Sequence, residues 1–399
     1  MTELVMFAYP WDILEQGVES FFDEMAALGV NRISVATCYH SADLIVPNRL
    51  KNVATSAEAN VAHLPLNNDI FSDLSIPKGS LVKNHPSLFP EIHKAARNHG
   101  IGLTAWTIAF HNSDLAKNNP DSAIENCFGD KFSHGLCATN PKSQAYAKQM
   151  VNAICQTNFF DTVMVESLSF LLYGHGHPHE LWAARLDPFT RVLLSLCFCE
   201  SCLKEGKTKN IDGMQLKARV ARELNRTWNS NVSIERGEDD GKELASRLVH
   251  DHEFTEWVRM RCNVVNKLAS EITTIVHSYG FEFEISAAVW GRPSSMNWAE
   301  GVDIKASAQI ADRFVLESYY PEISEVAREL DHVSSLAQGE KLMFVQTLWP
   351  EHNNSIDTLI KKIEMARAMD IKWIGLYNYS MATKPLLSWI KAVSRKLKD

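Results

Sequence analysis

The sequence predicts a single α/β domain, a (β/α)8 TIM barrel with a long loop after strand 2 and a helical insertion after strand 4. Three observations carry this. Apolar, strand-like runs alternate with amphipathic, helix-like runs, the pattern of parallel strands joined by helical crossovers. Eight strand-like runs can be counted, the number that closes such a barrel. No Gly-rich phosphate loop of the dinucleotide or P-loop type is present, which lowers the case for an open doubly wound sheet. The 399 residues suit one decorated barrel spanning 1–399, with the insertion at about 170–255 carrying a cysteine cluster.

Leu4–Tyr9 is the first predicted strand, with Pro10-Trp11-Asp12 as its exit loop. Gly17–Leu28 reads as a helix stopped by Gly29. Arg32–Tyr39 is the second strand, followed by a polar stretch from His40 to about Leu81 whose length marks it as functional or mobile. Ser87–His99 is a helix closed by Gly100. Ile101–Ile108 and Thr162–Val165 are strands three and four. From Glu205 to Asp251 the chain is polar and charged, a helical insertion. Glu253–Tyr279 is a long amphipathic helix. Phe281–Val289, Arg313–Ser318, Leu342–Thr347 and Ile371–Tyr377 are strands five to eight, and Lys384–Lys396 is the closing helix.

The composition narrows the function class. The apolar share of 45% and charged share of 22% are those of a soluble globular protein. A net charge of -8 argues against a nucleic-acid surface, which needs clustered Lys and Arg. No apolar run is long enough for a membrane span. Met1-Thr2-Glu3 runs straight into a strand without a basic leader, so a cytoplasmic location is expected. In that compartment the eight cysteines are expected as thiols or metal ligands rather than disulfides. Cys197, Cys199 and Cys202 form C-x-C-x-x-C, three thiolates able to meet one tetrahedral ion. Cys137 is the preferred fourth ligand and Cys127 the runner-up. Four thiolates would make a closed, structural Zn2+ site, and no organic cofactor is expected. Cys38, Cys155 and Cys262 sit in apolar contexts and read as core.

In a TIM barrel the chemistry sits at the C-terminal ends of the strands. That rule selects Tyr9, Trp11, Tyr39, His40, Trp106, His111, Asn112, Glu166, Trp290, Arg292, Glu317, Tyr319, Tyr320, Gln346, Trp349, Tyr377, Asn378 and Tyr379. Two carboxylates in an otherwise aromatic and amide-rich rim match a carbohydrate site, where aromatic faces stack on sugars and polar groups meet hydroxyls. Glu166 and Glu317 are the expected catalytic pair. Tyr39, His40, Trp106, His111, Asn112, Trp290, Arg292, Tyr319, Gln346, Trp349, Tyr377 and Asn378 are expected substrate contacts. His175 and His177, in the run Tyr173–Glu180, join them as substrate contacts; alternatively, His175 to His179 bind a catalytic metal.

The order Cys-x-x-x-Pro, helix, strand ending in Glu, then C-x-C-x-x-C resembles glycoside hydrolase family 42, the β-galactosidase-like barrels with catalytic Glu residues on strands four and seven. The likeness is strongest over Cys137–Cys202 and spans most of the barrel. It implies a structural zinc on Cys137, Cys197, Cys199 and Cys202 and an acid/base role for Glu166. Asp312–Pro321, Lys341–Pro350 and Ile371–Tyr379 look like that family's strands six, seven and eight. Two positions depart from the pattern: Val165 precedes Glu166 where the family has Asn, and Gln346 stands at the strand-seven nucleophile. The chain is similar, closer still, to a group of bacterial barrels assigned as glycoside hydrolases that share Tyr39-His40, Trp106, His111-Asn112 and Cys197–Cys202. Barrels of this resemblance often form homo-oligomers.

The expected activity is hydrolysis of a small soluble saccharide or glycoside, with Glu166 as general acid at a raised pKa. A carboxyl gap of about 5–5.5 Å suits a retaining enzyme and about 6.5–9.5 Å an inverting one, and non-adjacent strands four and six favour the wider gap. Two other readings stand beside it: a barrel that binds saccharide without cutting it, because of Gln346, and a metal-dependent hydrolase or lyase built on the histidine run.

Overall fold

The computed structural model describes residues 2–49, 51–174, 181, 184, 186–229, 240–287 and 293–398. Eight parallel strands form a closed ring: β1 (Glu3–Ala8), β2 (Arg32–Tyr39), β3 (Gly102–Ile108), β4 (Thr162–Glu166), β5 (Glu282–Ser286), β6 (Arg313–Glu317), β7 (Leu342–Thr347) and β8 (Trp373–Tyr377). Each pairs with its sequence neighbour, and β8 returns to β1 with Glu3 opposite Trp373. The predicted (β/α)8 architecture is the one observed.

The strand alternation sorts side chains to two cores. One set (Val5, Phe7, Ala36, Trp106, Met164, Val315, Met343 and Val345) packs inside the barrel. The alternate residues, such as Leu4, Val163, Phe283, Phe314 and Phe344, pack outward with the helices. The N-terminal end of the barrel is filled by ions rather than hydrocarbon. Arg313 Nε lies 2.7 Å from Glu284 Oε1, its Nη2 reaches Glu282, and its guanidinium stacks 3.8 Å from the Trp373 ring. Glu284 and Arg313 are buried, and each charge has its partner there.

Three expectations need correction. Pro10-Trp11-Asp12 is not a loop: the helix Pro10–Gln16 begins there, with Pro at its first turn and Asp12 Oδ2 accepting from the Tyr9 backbone N–H. The stretch after β2 is not an open loop. It holds the hairpin Asp43–Ile45 with Ala54–Ser56, and the strand Val61–Ala62 pairs antiparallel with β2. Leu44, Val46 and Ala57 of this segment pack against the aromatic top of the barrel. The fifth strand is Glu282–Ser286, and Ala287 already lies beyond its ladder; positions 288 and 289 of the expected run lie outside the described residues. Among the described residues, the segment after β4 holds the helices Glu200–Thr208, Gly213–Trp228 and Asp240–His250 and leads into the 27-residue helix His252–Ser278. Among the described residues no helix is long and apolar enough to cross a membrane.

Candidate active site

The mouth of the barrel is built by the last inward-facing residue of successive strands. Glu166 closes β4 and Glu317 closes β6; Ser286 ends β5 between them. The Trp106 Nε1–H donates to Glu166 Oε2 at 2.8 Å, and the Ser286 hydroxyl donates to Glu317 Oε1 at 2.6 Å. Tyr319 also hydrogen-bonds Glu317. Both carboxyls are half-buried. Burial, then the Glu317 charge, pushes Glu166 up to about 8, against the opposing Trp106 hydrogen bond. Burial likewise pushes Glu317 up to about 7, against its bonds to Ser286 and Tyr319. Two carboxyls that repel each other in a poorly solvated mouth titrate as a pair, so near neutrality one proton is shared out between them.

Aromatic residues form the wall. The Tyr9 hydroxyl lies 3.1 Å from that of Tyr39 and 3.3 Å from that of Tyr377. Trp106 packs edge-on to Tyr377 at 5.8 Å, and Tyr319 stacks on Tyr377 at 6.0 Å. Trp349 stands edge-on to Tyr377 at 5.9 Å. His40 stacks on both Tyr39 and His111, each at 4.4 Å. So Tyr39, His40, Trp106, His111, Tyr319, Trp349 and Tyr377 are gathered with the two carboxylates.

Two predicted contacts are not. Asn112 is buried, and its Oδ1 caps the helix Ser113–Asn118 by accepting from the Leu115 N–H, so its side chain is already committed. Gln346 shares the outward parity of Leu342 and Phe344; it is fully buried and donates to the Ser318 and Val345 carbonyls. Asn378, the residue after the inward Tyr377, is fully buried, and neither polar atom of its side chain has a hydrogen-bond partner among the described residues. His175, His177, His179, Trp290 and Arg292 lie outside the described residues. Sequence reasoning gave no role to Ser286, because the strand was run on past it. It left Tyr9 in the rim without a partner, although the parity Val5, Phe7, Tyr9 marks that residue as inward.

The cysteine cluster lies behind this mouth. Cys137 follows the strand Lys131–Leu136, while Cys197, Cys199 and Cys202 precede and open the helix Glu200–Thr208. All four are buried and their Sγ atoms lie within 4.8 Å of one another; Cys127 is not among them. The Cys137 Sγ is 3.5 Å from that of Cys202, 3.5 Å from that of Cys199 and 3.7 Å from that of Cys197. A tetrahedral zinc with Zn–S near 2.3 Å would set sulfur pairs about 3.8 Å apart, so the donor set fits that ion. Nearby, Arg261 is fully buried with no hydrogen-bond partner among the described residues on any of its three nitrogens, and its guanidinium lies 4.5 Å over the Phe170 ring. It sits one turn along the helix from Trp257, which stacks on Phe198 at 5.2 Å, between Cys197 and Cys199. A guanidinium without partners in such a place calls for a nearby anion.

No protein-family model matches the chain, and no curated protein sequence matches it. Solved structures do. The glycoside hydrolase domain of PgaB (BpsB) from Bordetella bronchiseptica superposes with a TM-score of 0.64 at 9% identity, covering 98% of this chain and 99% of that one. The catalytic domain of a beta-amylase from Paenibacillus polymyxa gives a TM-score of 0.56 at 11% identity over 100% and 99% of the two chains. A beta-galactosidase from Marinomonas ef1 gives 0.58 at 11% identity, over 99% of this chain and 59% of that one. Glycoside hydrolases share this fold.

Proposed function

We propose that the chain is a glycoside hydrolase acting on a soluble saccharide or glycoside, with Glu166 as general acid and Glu317 as the second carboxylate. The observation that carries this reading is the pair itself. Two strand-end carboxyls face inward in one aromatic mouth, and both are pushed toward neutrality, so that one holds a proton while the other is ionised. The fold shared with glycoside hydrolases, family 42-like barrels among the resemblances, points the same way.

The roles follow from the bonding. The Trp106 N–H occupies one oxygen of Glu166 and leaves the other for the glycosidic oxygen, to which the acid gives its proton as the bond breaks. Ser286 and Tyr319 hold Glu317 from the side, and it takes a proton from the attacking water. With β5 between their strands, the backbone anchors are two strand spacings apart, ~10 Å, a spacing compatible with the wider carboxyl gap that an inverting enzyme needs for that water. The aromatic wall offers stacking faces to the sugar rings. The binding-only reading rests on Gln346, but that residue is buried behind the mouth, and the mouth still holds two carboxylates.

The reading includes a structural Zn2+ on Cys137, Cys197, Cys199 and Cys202. Bound there, it would tie the Cys137 segment to the insertion and take no part in the reaction. Arg261 is the buried countercharge that a zinc tetrathiolate, itself a dianion, requires.

The reading is tested on a panel of glycosides by following released sugar and, by proton NMR, the anomer formed first. Inversion is expected. Cleavage of no panel member by zinc-replete protein sinks the glycosidase reading, and first-formed product of retained configuration sinks the role of Glu317 as base. The pH profile of kcat/KM carries a second expectation. Activity should fall as pH drops through about 7, where Glu317 gains its proton, and as pH rises through about 8, where Glu166 loses its own. The optimum therefore lies at or just above neutrality. An optimum near pH 5 would mean that the pair is solvated like ordinary carboxylates.

A further inference from the structure

Beside the mouth, between the helix Pro10–Gln16 and the segment that follows β2, lies a cavity of about 770 Å³ that contains neither Glu166 nor Glu317. Its walls include Trp11 and His63. His63 is 2% exposed, and neither ring nitrogen has a hydrogen-bond partner among the described residues. Burial pushes its imidazole down to about 4, against a weaker opposite pull from Glu58. At ordinary pH the ring is thus neutral, with one N–H to give and one lone pair to fill. A buried group with both needs unmet is costly unless something supplies them.

The carboxylates around the cavity already have hydrogen-bond partners. Asp12 accepts from Ser380 and from the Tyr9 backbone. Glu15 pairs with Arg49 at 2.6 Å, and Glu58 accepts from the backbone and hydroxyl of Ser80. Lys51 stands at the exposed rim. The unmet group is therefore neutral and two-sided, which suits a hydroxyl, itself both donor and acceptor. A single water would meet that need, but the volume is far larger than a water, and an aromatic side chain lines it.

Position decides what kind of hydroxyl compound fits. Trp106, whose N–H rests on Glu166, lies 5.7 Å from the ring of Tyr9; Tyr9 stacks on Trp11 at 4.5 Å; and Trp11 meets His63 at 5.2 Å. A chain of ring contacts thus links the acid to the buried imidazole, with Tyr9 and Trp106 packed in the core and Trp11 at the cavity wall. We infer that the cavity is a second carbohydrate subsite, which holds a neutral sugar residue of the same chain one or more units from the bond cut at Glu166, with Trp11 as platform and His63 bonding a ring hydroxyl. This rests on the glycosidase reading and extends it: the substrate is an oligosaccharide rather than a monosaccharide glycoside.

Calorimetric titration on a Glu166→Gln chain, which leaves ligands intact, tests this. The probes are neutral oligosaccharides of one to four residues in the gluco, galacto and N-acetylglucosamine series. In one series, affinity should rise by about tenfold or more from the first to the longest member. His63→Phe should abolish that gain, while His63→Gln, which keeps a donor and an acceptor, should retain most of it. Because His63 is buried, Trp11→Ala serves as the second variant, and it should also remove the gain. The subsite is overturned if no series binds, if affinity is indifferent to length, or if the gain survives both His63→Phe and Trp11→Ala. Turnover by the wild type separates the two readings. Length-dependent binding without hydrolysis defeats the glycosidase reading alone, and hydrolysis indifferent to length defeats the subsite alone.

Discussion

Glu166→Gln should lower kcat/KM for a glycoside with an alkyl or sugar leaving group by about 10³-fold, the middle of the range for loss of one general acid and about 4 kcal/mol of barrier. The leaving group tells the two carboxylates apart. A nitrophenyl glycoside departs without a proton, so Glu166→Gln should cost it only a few-fold, whereas Glu317→Gln should cost it as much as any other substrate. The acid role of Glu166 is lost if the variant is equally impaired on both classes, or unimpaired on the alkyl glycoside. A second readout has the opposite sign. Both carboxyls have folded-state pKa values raised above the unfolded ones, so their folded forms favour the proton. Stability tied to them is fully present below about pH 4, the unfolded range, and is lost as pH rises through about 7 to 8. Replacing either by Gln removes the desolvated charge, so thermal melts above pH 8 should show a higher Tm than wild type. An inactive variant that is also more stable marks a residue kept for chemistry at a cost to the fold.

Much of this was legible in the sequence, for reasons that differ residue by residue. The strand ends at Glu166 and Glu317 could be read because each terminates an unbroken apolar run, and period-two alternation then fixes the inward face. The four cysteines could be grouped because three lie within six residues. Register decided what could not be read. Gln346 looks like a rim residue in sequence, but one step of parity turns it from the mouth to the helix side, where it bonds to the Ser318 carbonyl. Asn112 looks polar and available, yet a helix start two residues after His111 claims it as a cap. Ser286 was hidden because the apolar pattern in the sequence runs on into Ala287, which already lies beyond the ladder. His63 lies in a polar stretch with no period, and only the packing of that segment against β2 shows that its ring is enclosed. Arg261 reads as a surface charge on an amphipathic helix. Its burial follows from Trp257, one turn away, which Gly206 and Gly213 admit by having no side chain: a Cβ on either would come within 2.5 and 2.7 Å of the indole.

That arginine gives the metal prediction its sharpest form. Zinc-replete protein should hold one zinc per chain, and removing it with a chelator under reducing conditions should lower Tm by on the order of 10 °C. The drop reflects several kcal/mol lost from a closed structural site. Cys199→Ser should reproduce the loss, because Cys199 lies 3.5 Å from Cys137 and also opens the helix Glu200–Thr208. Arg261→Met should act with two signs. In the zinc-loaded protein it removes the countercharge of the tetrathiolate, so a chromogenic chelator should withdraw the metal more readily. In the zinc-free protein burial holds the Cys137 and Cys202 thiols up, while hydrogen bonds from the neighbouring thiols pull Cys199 down, so the guanidinium faces far less negative charge than a tetrathiolate offers, and its replacement by an apolar side chain relieves the fold. The variant should therefore melt below wild type when loaded and above it when stripped. Crossed melting orders of this kind require charge compensation between Arg261 and the thiolates. If instead Arg261→Met melts lower in both states, Arg261 is a packing residue over Phe170, and if the wild type carries no zinc, the four thiols are core.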